Sequence, residues 1–368
     1  MTLNSRKRGV WGSGAIVYFC SSIALAATGL GCGSSNDSPG GSGGNGSTSG
    51  TGGNSGSGGS IVTPDCSGAF AKVQAPYSAN SGFDDISVFA VDEQGLVFSA
   101  LPDSNLGENT SDLPNLLMTS DLTGKLGTLR ETTTGFFNNL VFDGDDIIFT
   151  EGFVGRKIVR MPRAGGSETV LVEDVLEGAF ADASSLYYFA RGDGGHIILF
   201  SLPRAGGTPT ALADRGSIGL RGMAFEGDTL YWSEETTSFS GEPVSIYLMK
   251  VDATQPTLLA TIPSDTAGGL AVSGGVVFST LITDSFDIAT FRVDAGKAPV
   301  PMGETGLPFL LADGQAYYGG SGGITRNTLS FDAPTTVSGT GGKSIYAIAS
   351  GPTDLWYATA GCLFRAPK

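Results

Sequence analysis

Bulky hydrophobic pairs punctuate the chain at near-regular intervals, each one following a tight turn: Val97-Phe98, Ile148-Phe149, Tyr187-Tyr188, Tyr231-Trp232, Val277-Phe278, Tyr317-Tyr318 and Trp356-Tyr357. Counted on the second member, the intervals are 51, 39, 44, 46, 40 and 39 residues, a mean of about 43. Ahead of each pair runs a short segment of small and apolar residues, such as "NLVFD", "GAFAD", "GMAFE", "GLAVS" or "FLLAD". It often ends in an acid at the turn: Asp143, Asp182, Glu226 and Asp313. Behind the pair come a third segment, such as "KIVRMPRAGG" or "IILFSLPRAGG", and a fourth, such as "TVLVED" or "TALAD". Short apolar runs bounded by Gly, Pro and Asp turns read as strands. The Pro-Arg-Ala-Gly-Gly turn begins at Pro162 and again at Pro203, where paired glycines supply the positive φ that a hairpin bend requires. Each unit is therefore four strands, three turns and a return connection.

A four-stranded unit of this period is the size of a propeller blade. One twisted blade cannot bury both of its faces, whereas several closed around an axis shelter one another. The pattern predicts an all-β fold, a seven-bladed β-propeller of four-stranded antiparallel blades with the doublets as wedges between them. The last unit shows only three strands, "YAIAS", "LWYAT" and "CLFRAPK", and "CSGAFAKVQ" at 66–74 is an unassigned strand ahead of the first blade. The expectation is that this N-terminal strand completes the last blade as its outer edge, bringing Cys66 beside Cys362. "YWSE" at 231–234 resembles the YWTD-type propeller repeat, and the "IYLMKVD" that follows looks like its third strand. The likeness is confined to one blade of a family that normally closes with six, so it implies the fold and no receptor function. Residues 66–368 as a whole look like the propeller domains of bacterial exported lipoproteins with Pro-Arg-Ala-Gly-Gly turns.

The composition changes ahead of the repeats. Arg6, Lys7 and Arg8 precede an apolar run at 14–31, and Cys32 follows Gly29-Leu30-Gly31. This arrangement of residues 1–31 resembles a bacterial lipoprotein signal peptide, which implies lipidation of Cys32. Gly33 in the next position, by analogy with enteric lipoproteins, implies sorting to the outer membrane or cell surface of a Gram-negative bacterium. Residues 32–65 are dominated by Gly, Ser, Asn and Thr. They read as a flexible tether with a root-mean-square reach of about 30 Å. Cys20 leaves with the signal and Cys32 takes the lipid. Cys66 and Cys362 then remain for a disulfide in an oxidising compartment. Metal ligation by these cysteines lacks partners, because His196 is the single histidine.

The formal net charge is −15, and residues 1–31 hold three bases and no acid, so the remainder carries −18. Such a surface repels phosphate backbones and argues against nucleic acid as a partner. Two sets of residues carry candidate chemistry. In a propeller the connections between second and third strands share a face with those between blades, and functional residues concentrate on such loops. The longest loops, at 101–114 and 234–245, bring Asp103, Glu108, Asp112, Glu234, Glu235 and Glu242 to one side of that face as binding loops. Without a specific ligand they read as a solvated acidic rim. Asp84, Asp85, Asn138, Asn139, Glu177 and Arg221 enter the innermost strands at the channel mouth. Oxygens converging there suit Ca²⁺, the strategy of metal-dependent propeller hydrolases.

Other motifs weaken on inspection. The 319–323 stretch fits Gly-x-Ser-x-Gly, but a nucleophile elbow needs a helix after it and none is expected. His196 heads a strand as a surface imidazole, Arg191-Gly192-Asp193 is a loop tripeptide, and "FDGDDII" at 142–148 reads as a hairpin turn. The leading expectation is a noncatalytic binding or scaffold module for protein, peptide or glycan, anchored to a membrane through its lipid. The alternative is a divalent-metal-dependent hydrolase or lyase with its site at the channel mouth.

Overall fold

The computed structural model describes residues 15–16, 66–72, 85–101, 114–133, 135–152, 155–235, 243–263, 267–282, 288–306, 308–320, 322–359 and 361–368. Among them regular structure is almost entirely β-strand, with a single helical turn, the 3-10 turn Asp193–Gly195. No helix among the described residues is long and apolar enough to cross a membrane.

Two short strands come first, β1 (Ala15–Ile16) and β2 (Ala71–Lys72). The first blade is β3 (Asp85–Asp92), β4 (Gly95–Leu101), β5 (Asn115–Asp121) and β6 (Leu126–Thr132). The second opens with β7 (Phe136–Asp143), β8 (Asp146–Gly152) and β9 (Arg156–Pro162). Its outer strand is the first half of β10 (Thr169–Ala181), which runs on unbroken as the inner strand of the third blade. That blade continues with β11 (Ser185–Arg191), β12 (Ile197–Pro203) and β13 (Thr210–Asp214). The fourth is β14 (Gly219–Glu226), β15 (Thr229–Glu235), β16 (Val244–Lys250) and β17 (Thr257–Ile262). The fifth is β18 (Ala267–Ser273), β19 (Val276–Ile282), β20 (Ile288–Val293) and β21 (Val300–Glu304). The sixth is β22 (Phe309–Ala312), β23 (Gln315–Tyr318), β24 (Thr325–Thr328) and β25 (Thr335–Thr336). The last three strands are β26 (Ala347–Ser350), β27 (Asp354–Thr359) and β28 (Cys362–Pro367), and β2 pairs with β28 to make them four. Innermost strands meet in chain order, and β26 meets β3, so the ring is closed. The N-terminal strand completes the last blade as the sequence pattern predicts. Cys66 is bonded to Cys362 with a Cα–Cα distance of 5.7 Å.

Every doublet falls on the second strand of its blade, and all of its members except Tyr318 are buried. Successive strand residues point to opposite faces, so one doublet serves two seams. Val97 packs with Phe149 between the first two blades, Ile148 with Tyr188 at the next seam, and Tyr187 with Trp232 at the third. Tyr317 meets Tyr357 between blades six and seven, and Trp356 meets Phe98 where the ring closes. Blade five inverts this phase. Val277 faces back to Tyr231 in blade four, while Phe278 faces forward to Phe309 in blade six. A doublet defined by bulk alone cannot reveal which member faces which neighbour; a one-residue slip exchanges them.

Acids at the first turn of four blades act as fasteners to the next blade, whereas Asp182 of blade three accepts from Ser184, Ser185 and Tyr187 of its own blade. Arg163, from the Pro-Arg-Ala-Gly-Gly turn of blade two, pairs with Asp92 of blade one. Arg204, from the same turn of blade three, bonds Asp143 of blade two at 2.8 Å and donates to the carbonyls of Phe142 and Asp182, each at 2.9 Å. The terminal Pro367-Lys368 occupies the matching place in the last blade, and Lys368 pairs with Asp313 of blade six. Glu226 of blade four instead accepts the backbone N–H groups of Gly274 and Gly275 in blade five, both at 2.7 Å. The sequence pattern exposed the recurring arginine and the recurring acid as turn residues and missed that they meet. Arg204→Ala is expected to cost about 2 kcal/mol, because it leaves the partly buried Asp143 carboxylate with Arg160 alone and takes the charged donors from two carbonyls. Arg204→Lys should recover little of that loss, since an ammonium cannot fork between them. Urea unfolding of the three proteins checks the order.

Burial raises the pKa of Tyr187, Tyr188, Tyr231, Tyr317 and Tyr357, all doublet residues, with Tyr188 pushed up to about 12. A phenol whose folded pKa lies above its unfolded value stabilises the fold fully below the unfolded pKa of about 10. That contribution is lost as pH climbs from there towards the folded pKa. Stability is therefore expected to fall steeply above about pH 10. In an alkaline titration these tyrosines should ionise together with loss of the β signal; gradual tyrosinate absorbance with the fold intact would contradict their burial.

Candidate functional site

Antiparallel alternation puts the connection between second and third strands, and the link between blades, on one face, and the first and third turns of each blade on the other. The loop face and the channel mouth beneath it are where the sequence places candidate chemistry. The inner strands enter from that face, and five of them do so irregularly. Register shifts against the second strand occur between Ile86 and Phe89, Asn138 and Val141, Glu177 and Phe180, Leu220 and Gly222, and Ala267 and Gly269. In each case the extra residue lies on the inner strand, which makes it a β-bulge. Asn139 and Gly178 sit inside their bulges at φ 51° and 87°. Bulges re-aim side chains and are enriched beside functional sites. Asn138, Asn139, Glu177 and Arg221 all lie at or beside these bulges, and Asp85 is the first residue of β3.

Of the mouth residues, Glu177 is engaged by an arginine and Asn139 keeps an unpartnered oxygen. Arg156, the first residue of β9, reaches Glu177 of blade three with Nη1 at 3.3 Å and donates to the carbonyl of Leu176 at 2.9 Å. Asn139 is buried, and its Oδ1 has no hydrogen-bonding partner in the described structure. Asp84 lies outside the described residues, as do the side chains of Asp85 and Arg221. Among the described residues no group of three or more His, Cys, Asp or Glu side chains is placed to hold a metal ion.

The acids of the blade-four loop differ from expectation in their position. β15 extends to Glu235, so Glu234 and Glu235 belong to a strand end and are only 6% and 3% exposed. Glu234 takes a bidentate pair from Arg215 of blade three, Nε at 2.5 Å and Nη2 at 3.0 Å, and accepts the Trp232 indole N–H at 2.6 Å. The Arg215 guanidinium also lies over the Tyr247 ring, 4.4 Å from its centroid. The Glu234 hydrogen bond holds the Arg215 pKa above its ordinary value. These two acids are therefore not a solvated rim; for Glu234, burial with a charged partner replaces the hydration that a loop position would have kept. Asp103, Glu108, Asp112 and Glu242 lie outside the described residues.

The same device recurs two seams earlier. Arg130, on the outer strand of blade one, donates to Glu151 of blade two from Nε at 2.8 Å and Nη2 at 3.2 Å. Glu151 and Glu234 both stand two residues beyond a doublet, and each is met by an arginine from the preceding blade. That fixed offset was readable in the sequence. With Arg156–Glu177 between them, an Arg–Glu pair crosses each of the first three seams near the loop face.

The remaining motifs are local structure. Gly144 turns the "FDGDDII" hairpin at φ 64°, and a strand, β24, follows the Gly-x-Ser-x-Gly stretch, whose Ser321 is outside the described residues. His196 pairs through Nδ1 with Asp214 at 3.0 Å on an exposed surface, which lowers the Asp214 pKa. Asp193 of the Arg-Gly-Asp stretch begins the 3-10 turn.

No protein-family model matches the chain, and no curated protein matches it. Solved structures do resemble it in fold. The computationally designed Ika8 protein is 11% identical, with a TM-score of 0.51 covering 82% of this chain and 99% of that one. A prolyl endopeptidase structure is 11% identical at a TM-score of 0.52, covering 78% of this chain and 50% of the other. Acylaminoacyl peptidase of Pyrococcus horikoshii is 12% identical at 0.50, covering 78% and 52%. The chain thus spans about half the length of each peptidase, and at these identities the likeness is one of fold alone.

Proposed function

We propose that this protein is an exported lipoprotein, anchored through Cys32 to a bacterial outer membrane or cell surface, whose propeller is a noncatalytic binding or scaffold module. Its partner is a protein, peptide or glycan met on the loop face. The observation that carries this reading is the use of the buried acids Glu151, Glu177 and Glu234. Each is held by an arginine of a neighbouring blade, so these three acids tie blade to blade rather than face a substrate. A rigid ring bearing long loops suits recognition. The anchor reading is supported by the sequence of residues 1–65.

Two measurements test it. Metabolic labelling with a fatty acid should mark the full chain and be lost in Cys32→Ala. Charge reversal at Asp103, Glu108, Asp112 and Glu242 should abolish capture on peptide and glycan arrays while leaving the melting temperature unchanged. A rise in melting temperature with added Ca²⁺ would instead favour the metal-dependent hydrolase or lyase, because a ligand that binds only the native state stabilises it by mass action.

A further inference from the structure

The channel wall contains an open strand edge that the loop-face reading leaves unused. The innermost strand of a blade pairs on one side only, and its other edge of N–H and C=O groups faces the channel. In β3, β7, β10, β14 and β18 a bulge breaks the regularity of that strand. β22 and β26 pair with their neighbours without any register shift. A regular edge can extend its ladder to another chain, whereas a bulge disrupts the alignment that a new strand would need.

A segment is already seated on one of these edges. β1 pairs antiparallel with β22, Ala15 opposite Leu311 and Ile16 opposite Leu310, and it also lies beside β14 and β18. Leu310 and Leu311 themselves pack into the seams on either side of blade six, so what β22 offers the channel is main chain. On its other side β1 meets glycine-bearing strands, with Gly219 and Gly222 in β14 and Gly268 and Gly269 in β18, and Gly222 lets β14 approach the β18 backbone closely.

We propose that the channel-facing edge of β22 is a peptide-binding site that takes an extended segment of small or β-branched apolar residues by strand addition. In the full chain Ala15–Ile16, from the segment read as an export signal, fills the edge. Removal of residues 1–31 vacates it for a partner peptide of the same chemistry. The site is separate from the blade-one and blade-four loops, so failure of either proposal leaves the other standing.

The test uses the full chain carrying Ala15→Pro and Ile16→Pro, which removes both N–H groups from β1. The probe is a fluorescent peptide with the sequence of residues 12–18, GSGAIVY. The double variant should bind it about tenfold more tightly than the parent chain, whose own segment competes. N-methylation of the peptide at its Ala and Ile amides should weaken binding about fivefold or more, since adjacent amides point to opposite sides of a strand and the one hydrogen bond to β22 that is lost is worth roughly 1 kcal/mol. Amides of Phe309–Ala312 should exchange more slowly when the peptide is present. Equal binding of the methylated peptide, protection confined to other strands, or no binding by a double variant that melts with the parent would each overturn the proposal.

Discussion

Replacing Cys66 and Cys362 together by serine is expected to cost up to about 5 kcal/mol of stability, the value the chain-entropy model gives for so long a closed loop. The bond joins residues 296 apart and so constrains nearly the whole propeller in the unfolded state. Among the described residues, little else ties the N-terminal strand to the last blade. β2 is two residues long and pairs at Ala71 opposite Leu363 and Lys72 opposite Cys362. Phe70 adds one edge-on contact with Trp356, 4.7 Å between centroids. The melting temperature should drop by roughly 5–10 °C, given the unfolding entropy of about 300 residues. Reduced parent protein should melt with the double-serine variant. Hydrogen exchange should also quicken first at Ala71–Lys72 and Cys362–Pro367, while blades three and four keep their protection. A variant that melts with the oxidised parent would show that strand pairing and the packing of the last blade on the first close the ring without the bond.

The fold was legible because its signal is repeated. The doublets, the turn acids and the paired-glycine turns each recur with the same neighbours, so an error at one position is corrected by the others. The cysteines were legible by elimination. The inverted phase of Val277-Phe278 was not, because facing is a matter of registry and both residues are apolar. Glu234 was misread for a related reason. A strand end and the first residue of a loop look alike in sequence, and what separates them here is Arg215, nineteen positions earlier in the chain and brought near only by the packing of blade three on blade four. Glu177 lies in the inner half of β10, opposite Phe189, while its partner Arg156 comes from the third strand of the previous blade. The bulges carry Asn138, Asn139, Glu177 and Arg221 on the inner strands of different blades, and single-strand periodicity carries no trace of an extra residue until a partner strand supplies the count.

Trp232→Ala is the single substitution expected to do the most damage, about 4 kcal/mol, because it empties the centre of a seam. Trp232 is fully buried, lies 5.7 Å from Phe189 of blade three and stacks on Tyr247 at 5.9 Å within its own blade. Its indole N–H is also one of the donors that keep Glu234 satisfied below the surface. Trp232→Phe keeps an aromatic wedge and leaves Glu234 with Arg215, so it should cost less, about 1–2 kcal/mol for the missing donor and the smaller ring. Tyr346→Ala, at a residue 44% exposed, should stay within about 0.5 kcal/mol. Urea unfolding gives all three values. The sharper test is a double-mutant cycle. Trp232→Ala combined with Phe189→Ala should show a coupling of about 1 kcal/mol or more across the seam, whereas Trp232→Ala combined with Tyr317→Ala, in a different seam, should be additive. Additivity in both cycles would mean that the doublets are buried independently and do not wedge one blade against the next.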